Sequence, residues 1–268
     1  MKGDPKDSIE ARSLVWRLFR DAADEDYLVA RHSISIDLHF QFAWSAQQAI
    51  EKYLKCALLL NGISVQNSGH DILKMFDQLT KIADGLFPTV FVPPRGFPLN
   101  HGSFHRRVEP YRDFIIRISQ MGDPNSRYRY YSIVVDKFDL HKLDETCFQL
   151  RRLCIPMDMI FKGPDVSFRV ALQSDPNMQV HGLAFGFQKN DKVDDERLNL
   201  LRRRNFSFFP KEAYESGTIE DGGRLYNSPI YLALQRPKHA SEALQWLLDN
   251  AYFNRIDRDD IKKYINGA

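Results

Sequence analysis

The chain has 268 residues, and its 37 lysines and arginines nearly balance its 35 aspartates and glutamates, which leaves a net charge of +2. This balance excludes a protein that coats polyanions over its whole surface, although it allows a local basic patch. The longest apolar run, at residues 56–60, is too short to span a membrane. Three cysteines without a CxxC pair, together with an N-terminus that lacks an apolar core, predict a cytoplasmic protein without a disulfide framework.

The first 155 or so residues are predicted to be mainly helical. No proline or glycine occurs from Ser8 to Asn61, which favours long helices. A helix that begins at Asp24 or Asp26 has an apolar stripe formed by Tyr27, Leu28, Ala30, Ile34 and Leu38. The clearest helix runs from about Leu38 to Leu60 and is followed by Gly62, in the position of a C-cap glycine.

Three further helices are predicted before residue 155, over residues 71–79, 108–121 and 140–153. Pro110 is tolerated in the first turn of the second of them, and Pro156 follows the end of the third. Residues 85–105 contain four prolines and predict a long irregular connection, and residues 122–125 predict a turn.

After residue 163 the pattern becomes mixed. Alternating apolar residues predict strands over 166–172 and 181–187. Helices are predicted over 194–203, 241–253 and 257–265. These features predict a mainly α protein with a helical bundle at residues 1–162 and a mixed α/β appendage of unknown role at residues 163–268.

The helix at residues 38–60 carries a polar arc opposite its apolar arc, at about 100° per residue. The polar arc consists of Gln48, Glu51, Lys52 and Lys55. One interpretation is a solvated face that contains a stabilising Glu51–Lys55 pair. The other is a cationic wall for phosphate, in which two lysines act as point charges and Gln48 both donates and accepts hydrogen bonds.

The segment FAWSAQQAIEKYLKCALL at residues 42–59, followed by Gly62 and by His70-Asp71-Ile72-Leu73, resembles the HEPN family (higher eukaryotes and prokaryotes nucleotide-binding). Residues 26–31 resemble the first helix of the family, and residues 126–128 resemble its Ala-Arg-Tyr motif. The resemblance covers about residues 24–155. It implies a HEPN-like bundle of four or five helices, often dimeric, that associates with nucleotide or nucleic acid.

Many HEPN proteins are metal-independent ribonucleases with an Arg-x4-6-His motif on a helix. In this sequence that spacing occurs from Arg95 to His101, but Gly96 and Pro98 lie between them. An ordinary helix cannot hold this pair on one face, so the resemblance favours the subgroup without the nuclease motif. His101 and His105 have the spacing of a metal pair but lack an obvious third ligand, so no metal site and no cofactor are predicted.

Two further groups have alternative interpretations. His70, at the start of the helix over 71–79, either makes a structural hydrogen bond or orients a ligand beside the preceding helix. The segment Arg127-Tyr128-Arg129-Tyr130-Tyr131 interleaves cations and aromatic rings. It is suited to stacking a base and holding a phosphate, or to packing its tyrosines while its arginines reach solvent.

The sequence therefore leads to the hypothesis of a non-catalytic, dimeric HEPN-type protein that binds nucleotide or RNA phosphate. The predicted binding residues are Gln48, Lys52, Lys55, His70, Arg127, Tyr128 and Arg129. Two alternatives remain open. One is a metal-independent endoribonuclease that uses Arg95 and His101. The other is a protein-interaction module that partners a nucleotidyltransferase, as in toxin–antitoxin arrangements.

Overall fold

A computed structural model describes residues 9–94, 108–123, 132–135, 137–163, 165–178, 195–211, 224–226 and 255–267, together with residues 235, 245 and 248. Its helices are α1 (Ile9–Val15), α2 (Ala22–Ser35), α3 (His39–Leu60), α4 (Ile72–Ile82), α5 (Tyr111–Met121), α6 (Lys137–Arg152), α7 (Phe168–Ser174), α8 (Asp195–Arg202) and α9 (Arg255–Gly267). Its strands are β1 (Ile133–Val135), β2 (Ile160–Lys162), β3 (Val166–Ser167) and β4 (Arg224–Tyr226). The prediction of a mainly helical fold is confirmed.

The first helical rod is continuous from α1 to α2 through a π-helical turn at Trp16–Asp21. The turn widens the helix where Trp16 donates from Nε1 to the carbonyl of Cys154, at 2.8 Å. The Arg20 guanidinium lies over the Trp16 ring, 5.3 Å from its centroid. The Trp16 hydrogen bond attaches the π-helical turn to the residues that follow α6.

Helix α3 is the centre of the bundle, because it packs against α2, α4, α5 and α6. Its small residues Ala43, Ala46 and Ala49 are fully buried, which lets neighbouring helices approach closely. Its C-terminus is a Schellman motif: the Ile63 N–H donates to the Leu58 carbonyl, and Gly62 adopts a φ of 78°. The predicted role of Gly62 at the end of this helix is therefore confirmed.

The caps of the next helices follow from their sequences. Asp71 precedes α4, and its carboxylate accepts from the Lys74 N–H at 2.9 Å. Pro110 precedes α5, where a missing N–H costs nothing. Gly122 follows α5 and lies against α3, where a Cβ atom would approach Gln47 Oε1 to 2.5 Å and the Ala43 carbonyl to 2.9 Å. This close approach requires glycine although its φ is an ordinary −87°.

The predicted strand over residues 166–172 is wrong beyond its first two residues. β3 pairs antiparallel with β2, and α7 begins directly after it, with Ser167 accepting from the Val170 N–H at 3.3 Å. A pattern with apolar residues at every second position also contains pairs at the i,i+4 spacing of a helix. Here Phe168 and Leu172 form such a pair on α7, and both are buried. The predicted strand at 181–187 lies outside the described residues.

The described part of residues 163–268 packs on the bundle. Among the described residues, five buried apolar side chains beyond residue 163 belong to the same hydrophobic cluster as α2, α3 and α6: Phe168, Leu172, Leu201, Phe208 and Phe209. β4 pairs antiparallel with β1, with Val134 opposite Leu225. The division at residue 162 stays a prediction, but the described residues on its two sides share one core.

Candidate functional site

The predicted binding residues on α3 lie at the junction of α2, α3 and the start of α4. Lys52, on α3, forms an ion pair with Asp26 of α2. Both side chains reach solvent, with relative exposures of 31% and 26%. Gln48 is half-buried one turn before Lys52. The lysine ammonium therefore lies at the rim of the α2–α3 groove, beside one carboxylate.

Glu51 is the central acid of this junction. It is only 4% exposed, and its Oε1 accepts from Lys55 Nζ at 2.7 Å. His70 Nδ1 lies 3.0 and 3.1 Å from the two Glu51 oxygens. The His70 side chain is 82% exposed, whereas that of Lys55 is 18% exposed. Glu51 thus joins the end of the 61–71 connection to α3.

We call Asp26, Glu51, Lys52, Lys55 and His70 the junction cluster. The sequence predicted an open electropositive stripe here, and that expectation is corrected in two respects. Glu51 is buried rather than solvated, and each lysine lies beside a carboxylate. The reason is that α2 and the residues before α4 cover two sides of α3, so its polar arc meets protein as well as water.

The other predicted site residues lie outside the described residues. These are Arg127, Tyr128 and Arg129 of the basic-aromatic segment, the Arg95 and His101 pair, and His105. Their roles stay predictions.

A buried polar network that the sequence analysis missed links α2, α3 and α6. The Asp24 carboxylate accepts from Arg151 Nε at 2.9 Å and from the Tyr53 hydroxyl at 2.5 Å. Tyr27 donates to Asp144 at 2.6 Å, and Asp144 also pairs with Arg31. Burial raises the pKa of Asp24, although Arg151 opposes this shift.

The same network holds the segment after α8. Arg31 donates from Nε to the Leu200 carbonyl at 3.1 Å and also donates to the Arg203 carbonyl. Asn205 Nδ2 donates to the Tyr27 hydroxyl at 2.9 Å. A cation at the carbonyl end of a helix is favourable, because those carbonyls lack partners within the helix. The guanidinium thus caps α8 and fixes it to α2.

A signal for this network was present in the sequence. One face of α2 carries Asp24, Tyr27 and Arg31, at positions i, i+3 and i+7. One face of α6 likewise carries Asp144 and Arg151, seven residues apart. Of these residues, only Tyr27 belongs to the apolar stripe predicted for α2. Charged residues on the core-facing side of a helix indicate buried ion pairs when a second helix carries the opposite charges at the same spacing.

A third charged cluster joins α5, α6 and Glu109, which lies just before α5. Glu109 accepts from Arg117 at 2.9 Å and also pairs with Lys142, which is fully buried. Arg117 also donates to Asp139 at 2.7 Å. The Arg117–Asp139 ion pair thus links α5 to α6, and Glu109 contacts both helices through Arg117 and Lys142.

His141 lies beside that cluster and is buried. Burial lowers its pKa to about 4, helped by the Lys142 charge and opposed by a hydrogen bond with the Val92 backbone. Its neighbour Glu145 accepts from the Tyr111 hydroxyl at 2.5 Å, and burial raises the pKa of Glu145. The His141 imidazole is therefore neutral at physiological pH.

With this geometry established, comparison with protein families gives a match over residues 16–91 to the HEPN domain. Over these residues the chain is similar to the HEPN family. The matched segment begins at the π-helical turn and includes α2, α3, α4 and the whole junction cluster. No curated protein and no solved structure is similar enough to the chain to give a match.

The HEPN match confirms the resemblance drawn from residues 42–73. It ends at Phe91, so α5, α6 and the charged cluster between them lie beyond it. None of the helices in the described ranges is long and apolar enough to cross a membrane. Within those ranges, no group of three or more histidine, cysteine, aspartate or glutamate residues is arranged to hold a metal ion.

Proposed function

We propose that this HEPN domain binds the phosphate of a nucleotide or of RNA at the junction cluster, without catalysing a reaction. The observation that carries the proposal is that Lys55 and His70 both contact Glu51, while Lys52 lies one turn before Lys55 on α3 and is partly exposed. Ammonium and imidazole groups are the usual partners of phosphate after arginine. The HEPN match supports a role that involves nucleotide, RNA or protein partners.

The carboxylates in the cluster weaken this site but do not block it. An ammonium has three N–H donors, and Lys52 and Lys55 each donate one hydrogen bond to a carboxylate. Ion pairs with solvent access contribute only about 0–1 kcal/mol. A phosphate monoester carries about −1.5 to −2 charges and three acceptor oxygens, so it competes well for the Lys52 ammonium.

The finer assignment extends the site beyond the cluster. Gln48 lies one turn before Lys52 and would donate its amide to a phosphate or ribose oxygen. Arg127 and Arg129 would add positive charge, and Tyr128 would stack on a base. Because the cluster has no net charge when His70 is neutral, we expect modest affinity that falls as salt concentration rises.

Titration of AMP and of a short single-stranded RNA into the full chain tests the proposal. Lys52→Gln should weaken binding several-fold, whereas Asp26→Asn should strengthen it, because it removes the carboxylate that competes with phosphate. Lys81, an exposed lysine in the last turn of α4, supplies the control Lys81→Gln. If binding is absent, or if Lys52→Gln and Asp26→Asn change it in the same direction, the proposal is wrong.

The ribonuclease alternative has its own test. Incubation of labelled RNA with the full chain in the presence of a chelator should give no cleavage. Cleavage that is lost in Arg95→Ala and His101→Ala would replace the non-catalytic proposal with a metal-independent endoribonuclease.

A protein-interaction role is the second candidate, and exposed apolar side chains favour it. Leu14 and Leu18 lie one turn apart at the start of the first rod and are 59% and 64% exposed. Apolar side chains that stay in water at adjacent turns are typical of contact surfaces. We propose that this surface supports a homodimer or a nucleotidyltransferase partner.

Light scattering of the full chain tests the homodimer. A dimeric mass that becomes monomeric in Leu14→Ser/Leu18→Ser, but not in the control Val170→Ser, supports the surface. A monomeric wild-type chain excludes the homodimer. In that case, a nucleotidyltransferase is the remaining candidate partner. Co-purification of the chain with a candidate nucleotidyltransferase tests it, and the association should be lost in Leu14→Ser/Leu18→Ser.

A further inference from the structure

The hydrogen bond from His70 to Glu51 determines which nitrogen of the imidazole faces outward. A carboxylate only accepts hydrogen bonds, so Nδ1, at 3.0 and 3.1 Å from its two oxygens, carries the hydrogen. In the neutral ring, Nε2 then bears the lone pair on the opposite edge. Because the side chain is 82% exposed, His70 presents a proton-accepting nitrogen to solvent, backed by a buried carboxylate.

The charges around His70 balance when its ring is neutral. From α3, Glu51 and Lys55 face it, and the nearby Lys52 is paired with Asp26 of α2. On the His70 side of the cluster, the Asp71 carboxylate caps α4 by accepting a hydrogen bond from the Lys74 backbone N–H. The Lys74 side chain is exposed and carries the opposite charge. These acids and bases cancel, so the cluster gains net positive charge when His70 takes up a proton.

On the basis of the proposed function, we infer that the junction cluster selects a phosphate monoester over a diester and that His70 takes up a proton as the ligand binds. The proton moves from solvent to His70 Nε2, and no covalent bond in the ligand is made or broken. Nε2–H then donates to a phosphate oxygen, while Glu51 stabilises the imidazolium from the other edge. A terminal phosphate near neutral pH carries almost two negative charges, whereas a diester carries one.

Calorimetric titration with AMP and with cyclic AMP tests this inference. The titrations are run with the full chain at pH 7.5, in two buffers that differ in ionisation enthalpy. The difference between the buffers should reveal net proton uptake when AMP binds. AMP should bind about tenfold more tightly than cyclic AMP, the usual value of one added charge-assisted hydrogen bond.

Variants separate the role of His70 from a general effect on the fold. His70→Gln should lose the proton uptake and most of the preference for AMP over cyclic AMP. Glu51→Gln keeps an acceptor beside Nδ1 but removes the charge, so it should reduce the proton uptake. His32→Gln, at an exposed histidine of α2, is the control and should behave as wild type. Thermal melting of each variant verifies that it is folded.

The outcomes distinguish the two proposals. AMP binding without proton uptake, equal affinities for AMP and cyclic AMP, or proton uptake that persists in His70→Gln would each overturn the inference while the proposed function stands. Failure of the wild-type chain to bind AMP, cyclic AMP or RNA would overturn both.

Discussion

At the scale of single residues, the most informative side chains are charged groups inside the bundle. Arg31 is almost completely buried and donates to two main-chain carbonyls while it pairs with Asp144. Burial acts to lower the pKa of Arg31, but the neighbouring Asp144 carboxylate raises it overall, so the guanidinium stays charged. Sequence periodicity assigned Tyr27 and Ala30 to the core correctly but did not include Arg31, because its partners come from α6, from α8 and from the residue that follows α8.

Replacement of Arg31 tests this arrangement. Arg31→Met should lower the free energy of unfolding by about 3–5 kcal/mol, because it leaves Asp144 buried without its cation. Urea denaturation measures the loss, with Arg17→Met, at an exposed arginine of the π-helical turn, as the control. The double variant Arg31→Met/Asp144→Leu should recover part of the loss. An Arg31→Met variant as stable as wild type would show that the network does not stabilise the bundle.

His141 makes the stability dependent on pH. Its pKa is about 4 in the folded chain and close to 6.5 in the unfolded chain, so the unfolded state binds the extra proton between these values. Stability should therefore fall by up to about 3 kcal/mol as pH decreases from 6.5 to 4. Burial raises the pKa of Glu145, which acts in the opposite direction, so the comparison with His141→Leu isolates the histidine.

Denaturation midpoints measured from pH 7 to pH 4 test the His141 prediction. His141→Leu should lose less stability on acidification than the wild-type chain, whereas His32→Leu should follow the wild-type curve. Parallel curves for wild type and His141→Leu would contradict a buried neutral imidazole.

At the scale of elements, helices with strong local signals were predictable. α3 matches its predicted bounds almost residue for residue, because an unbroken periodic run meets Gly62 and its Schellman motif. α4, α5, α6, α8 and α9 also lie close to their predicted ranges. α7 was not predicted, because its seven-residue segment has apolar residues at the spacing of a strand and also at the spacing of a helix. The Ser167 N-cap favours the helix.

The junction cluster belongs to this scale as well. The sequence placed Lys52 and Lys55 on one helical face, but exposure of that face depends on the neighbours of α3. Asp26 and His70 approach from two other segments, and neither contact follows from the wheel of a single helix. The residue types of the candidate site were therefore predictable, but their pairing was not.

The contact of α5 with α3 gives a test of close packing. Gly122→Ala would place a Cβ atom 2.6 Å from Gln47 Cβ and 2.9 Å from the Ala43 carbonyl. We expect a loss of about 1–3 kcal/mol in unfolding free energy, because α5 must shift away from α3. Ser119→Ala, within the same helix, should stay within about 0.5 kcal/mol of wild type. Equal stability of Gly122→Ala and Ser119→Ala in urea denaturation would contradict this packing.

At the scale of the whole molecule, the segment after residue 162 contributes to the bundle that carries the HEPN match. Arg152 donates to the Leu172 carbonyl at 2.9 Å and also to the Pro176 carbonyl. Phe208 lies 5.3 Å from the Phe148 ring in an edge-to-face arrangement. The composition change near residue 163 predicted a boundary in sequence character, but composition does not reveal which surfaces pack together.

Truncation tests whether this segment folds with the bundle. A chain of residues 1–162 loses the main-chain carbonyls that accept from Arg31 and Arg152, together with the apolar contacts of Leu172, Leu201 and Phe208. The expected loss is on the order of 10 kcal/mol, comparable with the whole stability of a domain. We therefore expect residues 1–162 to unfold without a cooperative transition, whereas residues 1–211 retain one. A cooperative transition of residues 1–162 at the wild-type midpoint would support two independent domains.

The most direct test of phosphate binding at the junction cluster is the affinity of the full chain for AMP, measured in parallel for wild type, Lys52→Gln and Asp26→Asn. We expect measurable binding that weakens in Lys52→Gln and strengthens in Asp26→Asn, because phosphate and Asp26 compete for one ammonium group. Binding that is absent from all three proteins, or unchanged by both substitutions, would contradict the account and leave these ion pairs as supports of the fold alone.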